Sequence, residues 1–267
     1  MPSPKAEIGI FGGSGFYQLL GRARQIEINT PFGKPSGKIT LGNYQGRKVA
    51  FLPRHGEKHE FPPHKIPYQA NLWAFKKLGV KQIVAPCASG SLTPKIQPGD
   101  FVICDQFVDR TRDRADTFFN GPHVAHIGMA DPYCPSLRKI TIKACEALKI
   151  PHHNEGTIVV IQGPRFSTRA ESKWFQTQGW QVVKMTVYPE IVLARELAMC
   201  YVNIALITDY DTGLEGYQDI KPVTTAEVLR VFQKNNQKVK KLILKMIEKI
   251  PKRRACPCPQ ALDNVFI

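Results

Sequence analysis

Short runs of apolar residues alternate along this chain with longer segments in which apolar residues recur three or four positions apart. The short runs, many of them rich in Val and Ile, predict buried strands over residues 7–11, 37–41, 48–52, 82–85, 101–104, 156–161, 181–183 and 202–208. The longer segments predict helices over residues 67–78, 136–148, 168–178, 188–199 and 225–250, the last with Thr224 or Thr225 as its N-cap. This alternation favours an α/β fold with a mixed central β-sheet.

The length and composition are those of a globular protein with enough apolar material for a core. The chain has 267 residues, of which 43% are hydrophobic. It contains no apolar run of about 18 residues, so we expect no membrane span and no membrane partner. The first residues lack an apolar signal region, and we therefore expect a cytoplasmic protein.

The formal net charge of +15 permits nucleic-acid binding. The basic residues are scattered, however, with denser groups only over residues 234–249 and 252–254. The sequence also lacks helix-turn-helix, zinc-finger and aromatic RNA-binding patterns. We therefore favour a solvated basic surface that helps to attract an anion such as phosphate, and we expect no nucleic-acid partner.

The seven cysteines do not show the spacing of a metal site. Cys256-x-Cys258 has no second pair of Cys or His residues nearby in the sequence, so we predict no metal. Reduced thiols are the usual state in a cytosolic protein, whereas disulfides are common in hyperthermophiles, and both states remain open. A disulfide within Cys256-x-Cys258 would close a very small ring and should be strained and easily reduced.

A glycine turn follows the first predicted strand and contains one hydroxyl. Gly12-Gly-Ser-Gly15 allows several backbone N–H groups to donate to one anion, and the Ser14 hydroxyl adds a further hydrogen-bond donor. The turn is neither a Walker loop, since no Lys follows it, nor a dinucleotide fingerprint, since Gln18 stands where the third Gly or Ala belongs. Arg54 and His55, which follow another predicted strand, can supply positive charge to the same anion.

Two acidic residues lie close together at the end of the last predicted strand, in Thr208-Asp-Tyr-Asp211. If the strand continues, both carboxylates project to one side. Two acids in a dry site push their pKa values apart, so that one holds a proton and can donate it to a heterocycle. The ionised partner can accept a hydrogen bond from the edge of the same ring. A solvated turn would explain this motif in isolation, but together with a phosphate site it suggests a nucleoside phosphorylase.

These motifs together resemble the purine nucleoside phosphorylase superfamily, and specifically the archaeal-type 5′-methylthioadenosine phosphorylases. The resemblance runs from about residue 8 to 250 and includes Thr30-Pro-Phe-Gly-Lys-Pro-Ser36, Tyr68-Gln-Ala-Asn-Leu-Trp-Ala74, Asp105-Gln-Phe-Val-Asp-Arg110, Met129-Ala-Asp-Pro-Tyr-Cys134 and Gly163-Pro-Arg-Phe-Ser-Thr168. It implies the nucleoside phosphorylase fold, with one domain over residues 1–250 whose mixed sheet is flanked by helices, and a tail over residues 251–267. It also implies a homotrimer or a dimer of trimers.

The resemblance implies two sets of site residues and no metal or organic cofactor, because inorganic phosphate is a co-substrate. The phosphate-binding set is Ser14, Arg54, His55, Cys87, Ala88 and Thr186. The nucleoside-binding set is His126 (from a neighbouring subunit), Phe166, Ser167, Met185, Asp209, Tyr210, Asp211 and Thr225, with Asp209 and Asp211 as the catalytic pair.

The implied reaction is phosphorolysis of 5′-methylthioadenosine to adenine and 5-methylthioribose 1-phosphate. Thr225 stands where the eukaryotic-type enzymes have Val, and Lys184, where many members have Asn or Gly, is expected to lie off the site. The resemblance also implies a Cys134–Cys200 disulfide. A broader purine nucleoside phosphorylase acting on adenosine, inosine or guanosine remains an alternative, as does a binding protein without catalysis.

Overall fold

The structure is a computed structural model that describes residues 5–12, 21–214 and 216–267, with the backbone alone at residues 21 and 22. Five helices lie in these ranges: α1 (Tyr68–Leu78), α2 (Pro135–Ala147), α3 (Arg169–Thr177), α4 (Glu190–Glu196) and α5 (Thr225–Lys249). Short 3-10 helices span Pro63–Lys65 and Cys258–Gln260. None of the helices in the described ranges is both long and apolar enough to cross a membrane.

Eleven strands in the described residues form one mixed sheet. They are β1 (Ile8–Phe11), β2 (Gly21–Ile26), β3 (Ile39–Tyr44), β4 (Arg47–Leu52), β5 (Gln82–Ser91), β6 (Phe101–Val102), β7 (Gln106–Arg110), β8 (His152–His153), β9 (Thr157–Ile161), β10 (Val182–Lys184) and β11 (Cys200–Asp209). The main path runs β2-β3-β4-β1-β5-β10-β9-β7, and β11, β6 and β8 branch from β5.

Strand β5 organises the sheet because it pairs with three other strands. Its first residues pair in parallel with β1, nearly its whole length pairs in parallel with β11, and its last two residues pair antiparallel with β10. The sheet therefore divides along β5, and the ends of β5, β10 and β11 meet beside one another. Ligands gather outside the carboxyl ends of strands in open α/β sheets, which makes this edge the expected place for a site.

The core lies on both faces of the sheet. Alternate residues of β11 point to opposite sides, so that Ala205 packs in the cluster that contains α1 and α4, whereas Leu206 packs in the cluster that contains α2 and α5. Helix α5 contributes Val239, Leu242, Ile243, Met246 and Ile247 to that second face. Helices thus cover both faces of the mixed sheet, as predicted.

Each strand and helix predicted from the apolar pattern is present, with ends shifted by a few residues, and β5 extends six residues further, to Ser91. The pattern missed β2, β7 and β8. Strands β2 and β7 lie at the two ends of the main path, and β7 is partly exposed along its length, so neither has the continuous apolar pattern of a buried strand. The division between residues 250 and 251 stays a prediction.

The predicted Cys134–Cys200 disulfide is wrong for this structure, in which all seven cysteines are free thiols. The Cys134 sulfur accepts the N–H of Leu137 at 3.5 Å and so acts as the N-cap of α2. The Cys200 sulfur lies 3.3 Å from that of Cys256, which is well beyond a bonded S–S distance of about 2.05 Å. The thiols therefore contact more than one neighbour and form no exclusive pair.

Candidate active site

The motifs selected from the sequence lie at the ends of three strands and within a fourth. Arg54 and His55 follow β4, Cys87 and Ala88 lie within β5, Thr186 follows β10, and Asp209 is the last residue of β11. Lys184, at the end of β10, lies close enough to Arg54, Cys87 and Asp209 for their charges to influence its pKa. The phosphate-binding and base-binding groups predicted from separate motifs are therefore neighbours. Ser14 lies outside the described residues, and its role stays a prediction.

Arg54 is buried and held by a carboxylate that the sequence analysis did not identify. Its Nε donates to Glu190 Oε2 at 2.7 Å, and its Nη2 donates to Glu190 Oε1 at 2.8 Å. The Tyr201 hydroxyl donates to the same carboxylate at 2.6 Å. Burial alone lowers the pKa of Arg54, but the Glu190 carboxylate more than offsets this and raises the pKa above its usual value. Arg54 is therefore a fixed and largely neutralised cation.

His55 is a neutral imidazole, which corrects the expectation that it adds positive charge. Burial lowers the pKa of His55 to about 3, the charges of Lys184 and Arg54 add to this effect, and a hydrogen bond to Phe61 O opposes it. Its Nδ1 lies 2.9 Å from Phe61 O, and because a carbonyl oxygen can only accept, Nδ1 holds the proton. The Nε2 atom is then an acceptor, suited to a hydroxyl of the sugar or of a protonated phosphate.

Lys184 was expected off the site, and the structure places it near the predicted site residues Arg54, Cys87 and Asp209. Its side chain is partly buried, and it forms no hydrogen bond or ion pair with another residue in the ranges the structure describes. Burial lowers the pKa of Lys184, as does the charge of Arg54, while Cys87, Asp209 and Glu190 oppose the shift. An ammonium group that lacks a bonded carboxylate and lies beside Arg54 is available to an anion.

Cys87 and Thr186 border the same space from β5 and β10. The Cys87 sulfur accepts from Asn203 Nδ2 at 3.2 Å and lies 3.4 Å from Ser89 Oγ, so the thiol is engaged within the protein. Thr186 is fully buried, and its Oγ1 has no hydrogen-bond partner among the described residues. A buried hydroxyl without a partner is costly, so it indicates a place where a polar ligand atom would be stabilised.

Asp209 and Asp211 are both buried, and Gly90 of β5 allows them to approach. A Cβ at position 90 would lie 2.9 Å from Asp209 Oδ1 and 3.3 Å from the Asp211 nitrogen. Oδ1 of Asp209 accepts the Asp211 N–H at 2.8 Å, and its Oδ2 accepts the Thr208 hydroxyl at 2.7 Å. A β-bulge between Ile207 and Asp209 changes the direction of β11 at its end.

The two carboxyl groups differ in how well their charge is stabilised. Burial raises the pKa of Asp209, while the hydrogen bonds from Thr208 and the Asp211 N–H oppose the shift. Burial raises the pKa of Asp211 to about 6, the neighbouring Ser172 and Ser167 hydroxyls oppose this, and the charge of Asp209 adds to it. Asp211 Oδ2 has no hydrogen-bond partner among the described residues. Asp211 is therefore the member of the pair that can hold a proton near neutral pH.

Of the residues predicted to contact the base and sugar, one lies directly beside this acidic pair. Ser167 is buried and lies beside Asp211, and Phe166 precedes it with 37% of its surface exposed. Met185 lies between Lys184 and Thr186, and it packs so closely on Gly163 that a Cβ there would lie 2.7 Å from its sulfur. These positions fit a ligand that lies across the strand ends, and their individual roles stay predictions.

Arg114 is a further residue that the sequence analysis did not identify. Its guanidinium donates to four main-chain carbonyls, those of Ile161 at 3.4 Å, Gln162 at 2.9 Å, Met185 at 3.0 Å and Tyr188 at 2.6 Å. It thereby fixes the loop after β9 against the loop after β10. A lone Arg in a polar loop gives no sequence signal for this role, whereas Glu190 could have been noticed as an acid at the start of an apolar helix.

Three predicted residues lie at the periphery of a single chain. His126 is exposed, and its N–H donates to Val265 O at 2.9 Å in the C-terminal tail. It forms no hydrogen bond or ion pair with the predicted site residues that the structure describes. Thr225 is exposed in the first turn of α5, where the charge of nearby Glu227 influences Asp209. Tyr210 is partly buried between the two acids. Their proposed roles stay untested.

Comparisons with known proteins agree with this geometry. Residues 7–248 match the model of the phosphorylase superfamily. An S-methyl-5′-thioadenosine phosphorylase of Pyrococcus furiosus is 51% identical over 261 residues, which cover 98% of this chain and 99% of the relative. A purine nucleoside phosphorylase of Streptomyces coelicolor is 47% identical, with coverage of 98% and 96%.

A solved structure gives the same result for the fold. The crystal structure of a methylthioadenosine phosphorylase from an Antarctic soil metagenomic library superposes with a TM-score of 0.92 at 38% identity. The superposition covers 99% of this chain and 93% of that one. The mixed sheet and its flanking helices are therefore those of the nucleoside phosphorylase fold. The chain belongs to the phosphorylase superfamily, in the part of it that holds the S-methyl-5′-thioadenosine phosphorylases.

Proposed function

We propose that this chain catalyses the phosphorolysis of S-methyl-5′-thioadenosine to adenine and S-methyl-5-thio-α-D-ribose 1-phosphate. The observation that supports this most is the meeting of a buried acidic pair, Asp209 and Asp211, with a cationic pocket around Lys184 and Arg54 at adjacent strand ends. The acidic pair suits a purine that gains negative charge, and the cationic pocket suits an anionic nucleophile.

Phosphate would bind where Lys184, Thr186 and the outer face of Arg54 converge. Glu190 occupies the Nε–Nη2 edge of the Arg54 guanidinium, which leaves Nη1 as the nitrogen that does not contact this carboxylate; Nη1 donates to Pro86 O at 3.3 Å. Lys184 supplies charge without a bonded carboxylate, and the Thr186 hydroxyl supplies a donor. Ser14 and the N–H groups of Cys87 and Ala88 complete this proposed cradle, with His55 Nε2 as an acceptor.

In the bond-breaking step, a phosphate oxygen forms a bond to C1′ of the ribose and the C1′–N9 bond breaks. The electron pair of that bond moves onto the purine, whose N7 becomes basic and takes a proton from a neighbouring acid. Asp211 suits this role, because burial already raises its pKa to about 6. Asp209, whose two oxygens each accept a hydrogen bond, stays ionised and accepts from the 6-amino group.

The acidic pair also explains the choice of base. A 6-oxopurine presents an acceptor where adenine presents an amino donor, and an ionised Asp209 would repel that oxygen. Phe166, Ser167, Met185 and Tyr210 would line the base and sugar. A methylthio group would lie near Thr225 and His126 of a neighbouring subunit, in a homotrimer or a dimer of trimers. Phosphate as co-substrate without metal or organic cofactor, and a cytoplasmic location, are parts of the same proposal.

A broader purine nucleoside phosphorylase is the second candidate, because a Streptomyces relative of 47% identity has that name and Thr225 makes the proposed methylthio pocket more polar. A binding protein without catalysis is not favoured, because relatives of this similarity are enzymes. The two enzyme candidates differ in which nucleosides they consume.

The experiment that separates them measures release of free base from methylthioadenosine, adenosine, inosine and guanosine, with and without phosphate. We expect phosphate-dependent release with methylthioadenosine preferred. Asp209→Asn should lower kcat/KM for methylthioadenosine by roughly ten- to a hundredfold, since a charge-assisted hydrogen bond contributes about 1.5–3 kcal/mol. It should lower inosine turnover less. The exposed Asp263→Asn is the matched control. Equal losses on both substrates would remove Asp209 from base selection.

A further inference from the structure

Four of the seven cysteines meet in one cluster on the side of the sheet covered by α2 and α5. Cys134 is the N-cap of α2, Cys200 is the first residue of β11, and Cys256 and Cys258 lie in the C-terminal tail. The four sulfur atoms all lie within 4.8 Å of one another. Cys134, Cys200 and Cys258 are buried, and Cys256 is partly buried. The fold thus supplies the second cysteine pair that the sequence near Cys256-x-Cys258 does not contain.

The spacing of these sulfurs matches the coordination shell of a metal better than a set of disulfides. In a tetrahedral zinc site with Zn–S bonds of about 2.3 Å, neighbouring sulfurs lie about 3.8 Å apart. That value lies between the 3.3 Å that separates the sulfurs of Cys200 and Cys256 and the upper bound of 4.8 Å for all pairs in the cluster. We propose that Cys134, Cys200, Cys256 and Cys258 form a structural Zn²⁺ site, which ties the C-terminal tail to β11 and α2.

The surroundings of the cluster suit the charge that such a site would have. Four thiols would each release a proton to solvent as they bind Zn²⁺, leaving a centre with two net negative charges. The Leu137 N–H donates to the Cys134 sulfur at 3.5 Å, and the positive end of the α2 dipole lies at the same place. The basic run of residues 252–254 precedes the cysteine pair of the tail, and Arg254 donates to Ala198 O, two residues before Cys200.

Soft thiolate ligands in a closed tetrahedral set favour zinc or iron, and four protein ligands with no open position are typical of a structural role. Disulfide formation would instead need an oxidant, and an internal Cys256–Cys258 bond would close a strained ring. The cluster lies away from Asp209 and Lys184, at the start of β11, whereas the proposed active site lies at its end. Zinc binding is therefore independent of whether the proposed reaction is correct.

The test is the metal content of protein purified under reducing conditions without added metal or strong chelator. We expect about one Zn²⁺ per chain, lost in the Cys256→Ser/Cys258→Ser double variant and retained in Cys145→Ala, a matched control on α2 outside the cluster. Because the double variant could unfold, a second measurement uses the unmodified chain. Co²⁺ added to metal-free protein should bind at one equivalent and give the intense visible absorption of a tetrahedral thiolate site.

Three results would overturn the proposal. The first is a chain with four free thiols in the cluster that binds neither Zn²⁺ nor Co²⁺. The second is iron in place of zinc. The third is the recovery of Cys134–Cys200 and Cys256–Cys258 disulfides by non-reducing peptide mapping of the same preparation.

Discussion

Breaking the buried pair between Arg54 and Glu190 should destabilise the protein far more than breaking an exposed pair of the same geometry. Glu190 is fully buried, and two of its three hydrogen-bond donors are nitrogens of Arg54. Arg54→Met leaves this carboxylate uncompensated in the core, which costs about 3–5 kcal/mol. Removing both charges in Arg54→Met/Glu190→Leu leaves no buried charge, and the loss of the Tyr201 hydroxyl's acceptor costs about 1–3 kcal/mol. Pro86 O loses the Arg54 donor in both variants.

The assay is thermal unfolding at one fixed protein concentration. At about 2–4 °C per kcal/mol for a chain of this size, Arg54→Met should lower Tm by about 6–20 °C, and the double variant should recover most of that loss. The matched control is Arg165→Met, because Arg165 forms the same two-pronged contact with Glu171 at 2.8 and 2.7 Å but is exposed. It should change Tm little. The reasoning fails if Arg54→Met and Arg165→Met have equal effects, or if the double variant is less stable than Arg54→Met.

The remaining predictions concern charge and space at the strand ends. Lys184→Met should raise the phosphate KM at least tenfold while leaving the KM for the nucleoside within a few fold, and an unchanged phosphate KM would place Lys184 outside the phosphate site. Because the folded pKa of Asp211 lies above its ordinary value, at about 6, the protonated carboxyl is favoured at low pH and lost as the pH rises. The kcat/KM for methylthioadenosine should therefore fall above about pH 6, and Asp211→Asn, whose amide donates at every pH, should abolish that inflection. Gly90→Ala should reduce kcat/KM with little change in phosphate KM, since its Cβ would lie 2.9 Å from Asp209 Oδ1, and full activity would show that the acidic pair tolerates displacement.

The fold could be predicted where residues are buried on both sides. Strands such as β1 and β11 are buried throughout and mostly apolar, and the amphipathic pattern of α5 is continuous over its whole length. The edge strands β2 and β7 were missed because one side or one end of an edge strand faces solvent, and polar residues are tolerated there. The branching of the sheet at β5 could not be predicted from the sequence either, because tertiary packing determines which strands pair with one another.

The sequence motifs predicted which residues lie near the candidate site, but they did not predict which of those residues are charged or neutralised. Arg54 and His55 stay predicted neighbours of the phosphate, and both were expected to supply positive charge to it. Whether an Arg is neutralised depends on a carboxylate 136 residues away, and whether a His is neutral depends on burial and on the carbonyl of Phe61. Neither contact is visible in a sequence. Lys184 was expected off the site, and its position near Arg54 and Asp209 likewise depends on tertiary contacts.

These corrections change how the pocket would select an anion. Glu190 balances the charge of Arg54 through two hydrogen bonds, so an arriving phosphate adds little to the stability of that guanidinium. Lys184 is in the opposite situation, because burial and the charge of Arg54 lower its pKa. An anion beside Lys184 would favour the charged ammonium form. The free energy gained by stabilising that charge would then add to the free energy of anion binding. Arg54 would then set the geometry of the pocket, while Lys184 would supply the charge that makes phosphate preferable to water.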